Sequence, residues 1–536
     1  MKQTVNGIVT IAQEYFVSTR GVFRMPVRFL SLALPAVFLL TACDNDVQQP
    51  VTSTLISNAM IYDGSGADAY RGAVRIDFAT QRILAVGDVE PVPGEFVYDV
   101  DGLAVAPGFI DTHSHHDEDL EEHRDMPGAV SQGITTIVRG MDGSTAGYTS
   151  VADFNKAFEA RPAAVNVASY SPHNTIRQLV MGADNRRHAS DEEIAAMAAL
   201  LEDDLDAGAL GLSTGLEYEP GIFSSTEELI VLANIAAKRG RRYSSHLRDE
   251  DDRFIEALEE IIRIGREAHL PVHVSHIKLA DKLYWGTTDE VLGVMNAARA
   301  DGVELTADIY PYERWASNLA VLFPDRDYGN RATAEYTFER TAAPEDIVLV
   351  RYPPEPRFEG MTIAEVATVT ERDAVDTLLE LSQAAADYRL ETGEPGSEII
   401  ARSMNDTDIA GFMQWPYINI CSDGWHGGHP RGYGSFPRVL GRFVRDSRDL
   451  SLEEAIYKMT GRAADTLGIA DRGRLAVGNF ADVVVFDPAT VRDHASMTDP
   501  TAMSTGIRRV WVNGRLAFDA GETTHAYSGE IVTPDE

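Results

Sequence analysis

Two patterns of apolar and polar positions divide the chain. From about residue 53 to 105 come short alternating runs such as Leu55-Ile56-Ser57-Asn58-Ala59, Ala73-Val74-Arg75-Ile76 and Arg82-Ile83-Leu84-Ala85-Val86, each ended by Gly, Asp or Pro. Period-two alternation closed by turn residues predicts antiparallel strands. Similar runs return in 482–486 and 509–514. Two β-rich ends around a different middle predict a small β-sandwich built from both termini, over 53–105 and 469–536.

The middle, 106–468, alternates short apolar runs with helical segments. Eight strands are predicted, at 108–115, 135–142, 164–173, 209–216, 242–248, 271–278, 303–311 and 417–423. Helices separate them, for instance over 191–207, 226–239 and 251–268, and Ser190 with Glu193 has the capping-box spacing at the first of these. Eight such units predict an α/β fold, a TIM (β/α)8 barrel whose chemistry sits at the C-terminal strand ends. The stretch 325–405 is too long for a plain crossover and is expected to form an inserted subdomain or lid.

Composition changes this picture little, and the N-terminus changes it more. The 536 residues suffice for one large and one smaller domain, and 44% apolar with 24% charged residues is ordinary for a globular protein. A formal charge of −36 argues against nucleic acid and against a polybasic membrane patch. Arg24 and Arg28 precede the apolar run 29–40 and Leu40-Thr41-Ala42-Cys43, the layout of a secretory signal too short to span a membrane. Leu three residues before Cys resembles a bacterial lipobox. That resemblance implies a signal peptide over 1–43, lipidation of Cys43, a polar tether over 44–52, and an exported lipoprotein on the periplasmic side of the inner or outer membrane. Cys43 is then the only membrane contact, and oligomeric state is left open. Translation from Met25 is an alternative start, and an uncleaved anchor helix an alternative fate. With Cys43 acylated, Cys421 has no disulfide partner and reads as a buried small hydrophobe.

Chemistry gathers at the predicted strand ends. The first strand closes on His113 and His115, which share one side of an extended chain. The second ends near Asp142, the fifth at His246, the sixth at His276 and the eighth at Asp423. These are ligand types for a divalent transition metal, with an aspartate able to carry protons.

The chain here resembles the amidohydrolase superfamily and, within it, the N-acyl-D-amino-acid deacylases (D-aminoacylases). The broad signs are 106–115 (Ala-Pro-Gly-Phe-Ile-Asp-Thr-His-Ser-His) and 478–484 (Gly-Asn-Phe-Ala-Asp-Val-Val). Closer signs are 133–136, 208–221 and 226–229, then Ser245-His246-Leu247-Arg248-Asp249-Glu250, Ser275-His276-Ile277-Lys278, Asp308-Ile309-Tyr310-Pro311-Tyr312, Ser422-Asp423-Gly424 and His429-Pro430-Arg431. The resemblance runs from about 53 to 515. It implies hydrolysis of the amide of a small, carboxylate-bearing substrate by a metal-activated water, with one or two divalent ions, usually zinc. It implies metal ligation by His113, His115, Asp142, His246, His276 and Asp423, with His246 and His276 the tight ligands and Asp423 the general base and acid. Arg431 and Lys278 become candidates to hold the substrate carboxylate, with a structural ion pair as the alternative, and Tyr310 or Tyr312 candidates to assist. Arg248 and Glu250 brace a loop or touch substrate.

Two departures stand out. Where the family has Gly-Asn-Cys-Gly this chain has Gly140-Met141-Asp142-Gly143, a hard oxygen in place of sulfur and one that can bridge two ions. Where the family tends to have Ala-Gly-Ser-Thr this chain has Arg314-Trp315-Ala316-Ser317, an indole in the substrate region. The fourth strand lacks the lysine of dihydroorotase and hydantoinase types; Glu217 after it is expected to face solvent, with replacement of that lysine as a metal bridge the alternative. A dipeptide or cyclic-amide hydrolase, and a binding lipoprotein that has lost catalysis, are the competing readings.

Overall fold

The alternating ends meet in one sheet. The computed structural model describes residues 52–535 apart from 119, 146, 148, 149 and 403. In it the strands Ser53–Ile61, Tyr70–Asp77, Arg82–Gly87, Phe96–Asp99 and Ala104–Pro107 join Val483–Phe486, Ile507–Val512, Arg515–Asp519 and Glu522–Thr523 as nine strands. The seam is antiparallel, with Ala104 opposite Phe486 and Pro107 opposite Val483. Alternation leaves one face apolar, so Ile56, Val74, Ile76, Val105, Val485 and Trp511 form a core of their own. Burying each such aliphatic side chain stabilises by about 1.5–3 kcal/mol. The predicted signal segment 1–43, Cys43 and the tether up to residue 51 lie outside the described residues.

The middle of the chain supplies eight parallel strands: β1 (Phe109–Asp111), β2 (Ile134–Arg139), β3 (Asn166–Ser169), β4 (Gly211–Gly215), β5 (Arg242–His246), β6 (Val272–Val274), β7 (Leu305–Ile309) and β8 (Ile418–Ile420). They fall in two sheets. One holds β1, β2 and β3 with Ile531–Val532, and the other runs Ser171–Pro172, β4, β5, β6, β7, β8. Only Tyr170 separates β3 from Ser171–Pro172, so the third strand hands the chain from one sheet to the other. At the far edges the residues after β1 and β8 are joined by Asp423 N–H to His113 O (2.8 Å) and His115 N–H to Gly424 O (2.9 Å). Ser422 adds two hydrogen bonds to the Asp111 carboxylate, from its amide at 2.8 Å and its hydroxyl at 2.5 Å.

Strands covered on both faces carry unbroken buried runs rather than alternation, as in β2, where all of Ile-Thr-Thr-Ile-Val-Arg is buried. Helices Asp191–Asp206, Thr226–Lys238 and Phe254–Ala268 cover the sheet between consecutive strands. The first begins at the capping box of Ser190 and Glu193. The third buries Phe254, Leu258, Ile261, Ile262 and Gly265 at helical spacing. Gly265 permits close approach to β6, since a Cβ there would lie 2.9 Å from a Val272 methyl.

Between β7 and β8 the chain builds a three-stranded antiparallel sheet of Arg314–Ser317, Glu398–Arg402 and Ile347–Arg351, with Glu398–Arg402 in the centre. Helices Ile363–Thr370 and Ala374–Thr392 accompany it. No described helix is long and apolar enough to cross a membrane.

Candidate functional site

His246 is the last residue of β5; the other five residues expected to bind metal lie just beyond strand ends. His113 and His115 follow β1, Asp142 sits in the turn Met141–Gly143 after β2, His276 follows β6, and Asp423 follows β8. Three of these hold left-handed backbone, with φ of 53° at Asp142, 35° at His276 and 49° at Asp423. Non-glycine residues rarely adopt it, and it persists where surrounding bonds over-determine the turn. Here the His276 amide donates to Asp308 Oδ1 at 2.5 Å, and the Asp423 amide to His113 O at 2.8 Å. Asp308 Oδ2 accepts from Thr112 at 2.8 Å and lies 2.9 Å from His273, so one buried carboxylate ties the first, sixth and seventh strand ends together.

The side chains converge into two groups that share Asp142. In the first, His246 Nδ1 lies 3.0 Å from His276 Nε2, which is 3.2 Å from Asp142 Oδ1. In the second, His113 Nε2 is 3.4 Å from Asp142 Oδ1 and 3.6 Å from Asp423 Oδ1. His115 Nε2 is 3.5 Å from Asp142 Oδ2 and 3.4 Å from Asp423 Oδ1. Ligands about 2.1 Å from a tetrahedral zinc stand roughly 3.4 Å apart, so this spacing suits a shared ion. His113 is wholly buried and neither ring nitrogen has a hydrogen-bond partner, an arrangement that costs stability unless a ligand satisfies it. A set of four imidazoles and two carboxylates suits zinc.

The electrostatics keep the carboxylates charged. Burial opposes ionisation of Asp423, yet Arg431 and His276 hold its carboxyl well below the usual range. Asp142 is buried too, and His113 and His276 hold it well below that range. Burial and Lys278 disfavour the charged form of His276, while Asp142 and Asp423 carry its pKa up to about 10.

A cavity of about 300 Å³ opens onto both groups. Arg431 lines it, with Nη1 2.6 Å from Asp423 Oδ2 and Nε unpartnered. Lys278 lines it as well, but its ammonium is held by both oxygens of Glu250 (2.7 and 2.6 Å) and by His276 Nδ1 (2.8 Å). Tyr310 and Tyr312 stand behind this wall. Tyr310 packs 4.7 Å under the Arg431 guanidinium, and the Tyr312 hydroxyl donates to Pro430 O at 3.5 Å. Trp315 is one of the lining residues. Cys421 is free and fully buried, and burial pushes its thiol well up.

Two acids that the sequence reading kept out of the metal set stand beside its histidines. Glu217 does not face solvent: its Oε2 lies 2.9 Å from His246 Nε2. Glu250 braces Lys278 and also stands 3.4 Å from His276 Nδ1 and 3.5 Å from His246 Nε2. Burial works against its charge, yet His246 and Lys278 keep its pKa down at about 2. The available signal was position, since Glu217 is the second residue after β4 and Glu250 the fourth after β5.

The profile of the amidohydrolase family matches residues 104–517. A D-aminoacylase of Alcaligenes xylosoxydans xylosoxydans is 35% identical over 502 residues, spanning 89% of this chain and 97% of that protein. The N-acyl-D-glutamate deacylase of the same organism is 36% identical over 504 residues, spanning 90% and 96%. The crystal structure of N-acyl-D-glutamate deacylase from Bordetella bronchiseptica, complexed with zinc and a phosphonate that mimics the tetrahedral intermediate, superposes with a TM-score of 0.79 at 33% identity over 89% of this chain and 98% of that one. This chain belongs to the amidohydrolase family and, within it, to the N-acyl-D-amino-acid deacylases.

Proposed function

We propose that this protein hydrolyses the amide bond of N-acyl-D-amino acids or similar small carboxylate-bearing amides, with zinc in the two groups that share Asp142. The observation that carries the reading is the placement of Asp423. One oxygen sits among His113 and His115, and the other meets Arg431 at 2.6 Å on the cavity wall. A bound divalent ion supplies Lewis-acid polarisation of the carbonyl and hydroxide at neutral pH. Asp423, kept ionised by Arg431, accepts the proton of the attacking water and returns it to the leaving nitrogen, because an amide anion leaves very poorly. Lys278 and Glu250 hold His276 in place.

Arg431, rather than Lys278, is the residue we assign to the substrate carboxylate. The Lys278 ammonium is already saturated by Glu250 and His276, whereas Arg431 lines the cavity with a planar fork whose ion pair is with Asp423. Arg431→Lys, which keeps the charge and loses the fork, is expected to raise KM by about tenfold. Steady-state kinetics on an N-acetyl-D-amino acid check this, and an unchanged KM sinks the assignment.

The cyclic-amide reading has no support at β4, whose Gly-Leu-Ser-Thr-Gly holds no lysine. The bonds joining the ends of β1 and β8 support a closed (β/α)8 barrel. Tyr98, on a strand that pairs with Ser53–Ile61, meets Trp511 edge-on at 5.6 Å across the terminal sheet, which supports its folding over into a sandwich. Export and lipidation rest on Leu40-Thr41-Ala42-Cys43. Cys43→Ser is expected to move the protein from the membrane fraction to the soluble periplasm and to abolish incorporation of labelled fatty acid; labelling retained in the variant contradicts the assignment.

A further inference from the structure

The wall of the reaction cavity carries more acid than the chemistry uses. Asp142 and Asp423 belong to the metal groups, and Glu250 is spent on Lys278. Glu398 and Glu118 also line the cavity, Glu118 with one oxygen 3.9 Å from His115 Nδ1 and Glu398 with no part in the metal groups. Glu398 opens the central strand of the inserted sheet, whose neighbour strand places Trp315 and Ser317 on the same cavity. Its Oε1 is buried and has no hydrogen-bond partner. A Cβ built on Gly428 would lie 2.8 Å from that oxygen and 2.8 Å from the Trp425 indole, so the carboxyl and the indole meet over a position that only glycine leaves open.

The nearby charges do not satisfy this carboxyl. Burial and the charge of Glu118 push the Glu398 pKa up, while Arg351 and Arg431 act more weakly in the other direction. Arg351 directs Nη1 to Pro395 O, and Arg431 directs Nη1 to Asp423. A cation brought by the substrate offsets burial and repulsion together, with Trp425 as an apolar wall for its methylene stem. Arg431 marks which half of the substrate is involved, because a side chain branches from the carbon that bears the carboxylate assigned to it.

Resting on the amide-hydrolase reading above, we infer that this cavity selects N-acyl amino acids with a cationic side chain, and that Glu398, aided by Glu118, determines the preference. An acidic side chain, such as that named for the glutamate deacylases similar to this chain, meets like charge there.

The test compares kcat/KM of the zinc-loaded protein on N-acetyl-D-lysine, N-acetyl-D-norleucine and N-acetyl-D-glutamate. Lysine is expected to exceed norleucine, its counterpart without the ammonium, by about tenfold or more, the effect of one charge-assisted hydrogen bond, with glutamate the poorest. In Glu398→Gln the lysine-to-norleucine ratio is expected to fall to near one, and in Glu118→Gln to an intermediate value. Norleucine or glutamate turned over as well as lysine by the parent protein overturns the preference and leaves amide hydrolysis standing. A ratio unchanged in Glu398→Gln overturns the role of Glu398. Turnover of none of the three overturns amide hydrolysis, and the preference with it.

Discussion

Replacing Asp423 by asparagine is expected to lower kcat by about 10²–10⁴-fold, the contribution of a positioned proton carrier. Asparagine keeps the shape and one oxygen but takes up no proton, so the attacking water keeps its proton and the leaving nitrogen receives none. The position is unusually committed to this task. Its backbone is left-handed at φ 49°, its amide is tied to His113 O, and its carboxylate spans the distance from the histidines to Arg431. The loss belongs in kcat, because Arg431 remains to hold the substrate. Saturation kinetics, with a melting curve to show that the variant is folded, decide the matter. An asparagine variant as active as the parent removes Asp423 from the mechanism.

The second large effect is expected at Asp142. Its Oδ1 stands 3.2 Å from His276 and 3.4 Å from His113, and its Oδ2 stands 3.5 Å from His115. One side chain therefore serves both groups, which a thiolate does with a single atom. Asp142→Ala is expected to cost at least about 10²-fold in metal affinity, the upper end of what even indirect ligand partners cost. His115→Ala, which touches one group only, is expected to cost less. Metal titration of both variants after chelator treatment measures this. If Asp142→Ala binds zinc as the parent does, the shared-carboxylate arrangement is wrong.

Much of this site was legible before any coordinates, and the reason is topological. In a parallel sheet wrapped by helices, strand ends share one face, so His113, Asp142, His246, His276 and Asp423 had to converge if the eight strands were read correctly. The strand reading worked because buried parallel strands leave unbroken runs of small or apolar residues, as in β2 and β4. The left-handed turns at Asp142, His276 and Asp423 left no mark, since aspartate and histidine carry no signature of positive φ comparable to glycine. The pairing of Lys278 with Glu250 was equally hidden, because it depends on how the loop after β5 packs against β6. Glu398 was the least accessible of all. It sits on the inserted antiparallel sheet, about 90 residues from β7 in sequence, and only tertiary packing brings it to the cavity.

These placements divide labour between the sheet and the insertion. The strand ends hold the residues we assign to binding the ion and moving the proton. The insertion supplies Trp315, Ala316, Ser317, Val321, Leu322 and Glu398 to the cavity, the surface that meets the rest of the substrate. Changes there are expected to alter which amide is accepted, while changes at the strand ends remove the reaction.

The most direct test of the central claim is zinc content of the purified protein followed by a screen of N-acetyl-D- against N-acetyl-L-amino acids. One or two equivalents of zinc is the result predicted by the two groups that share Asp142, and turnover confined to the D-series is the result predicted by the chain's place among the N-acyl-D-amino-acid deacylases. Zinc bound with no turnover of either series would contradict the proposed substrate, and protein that binds no zinc would contradict the metal centre itself.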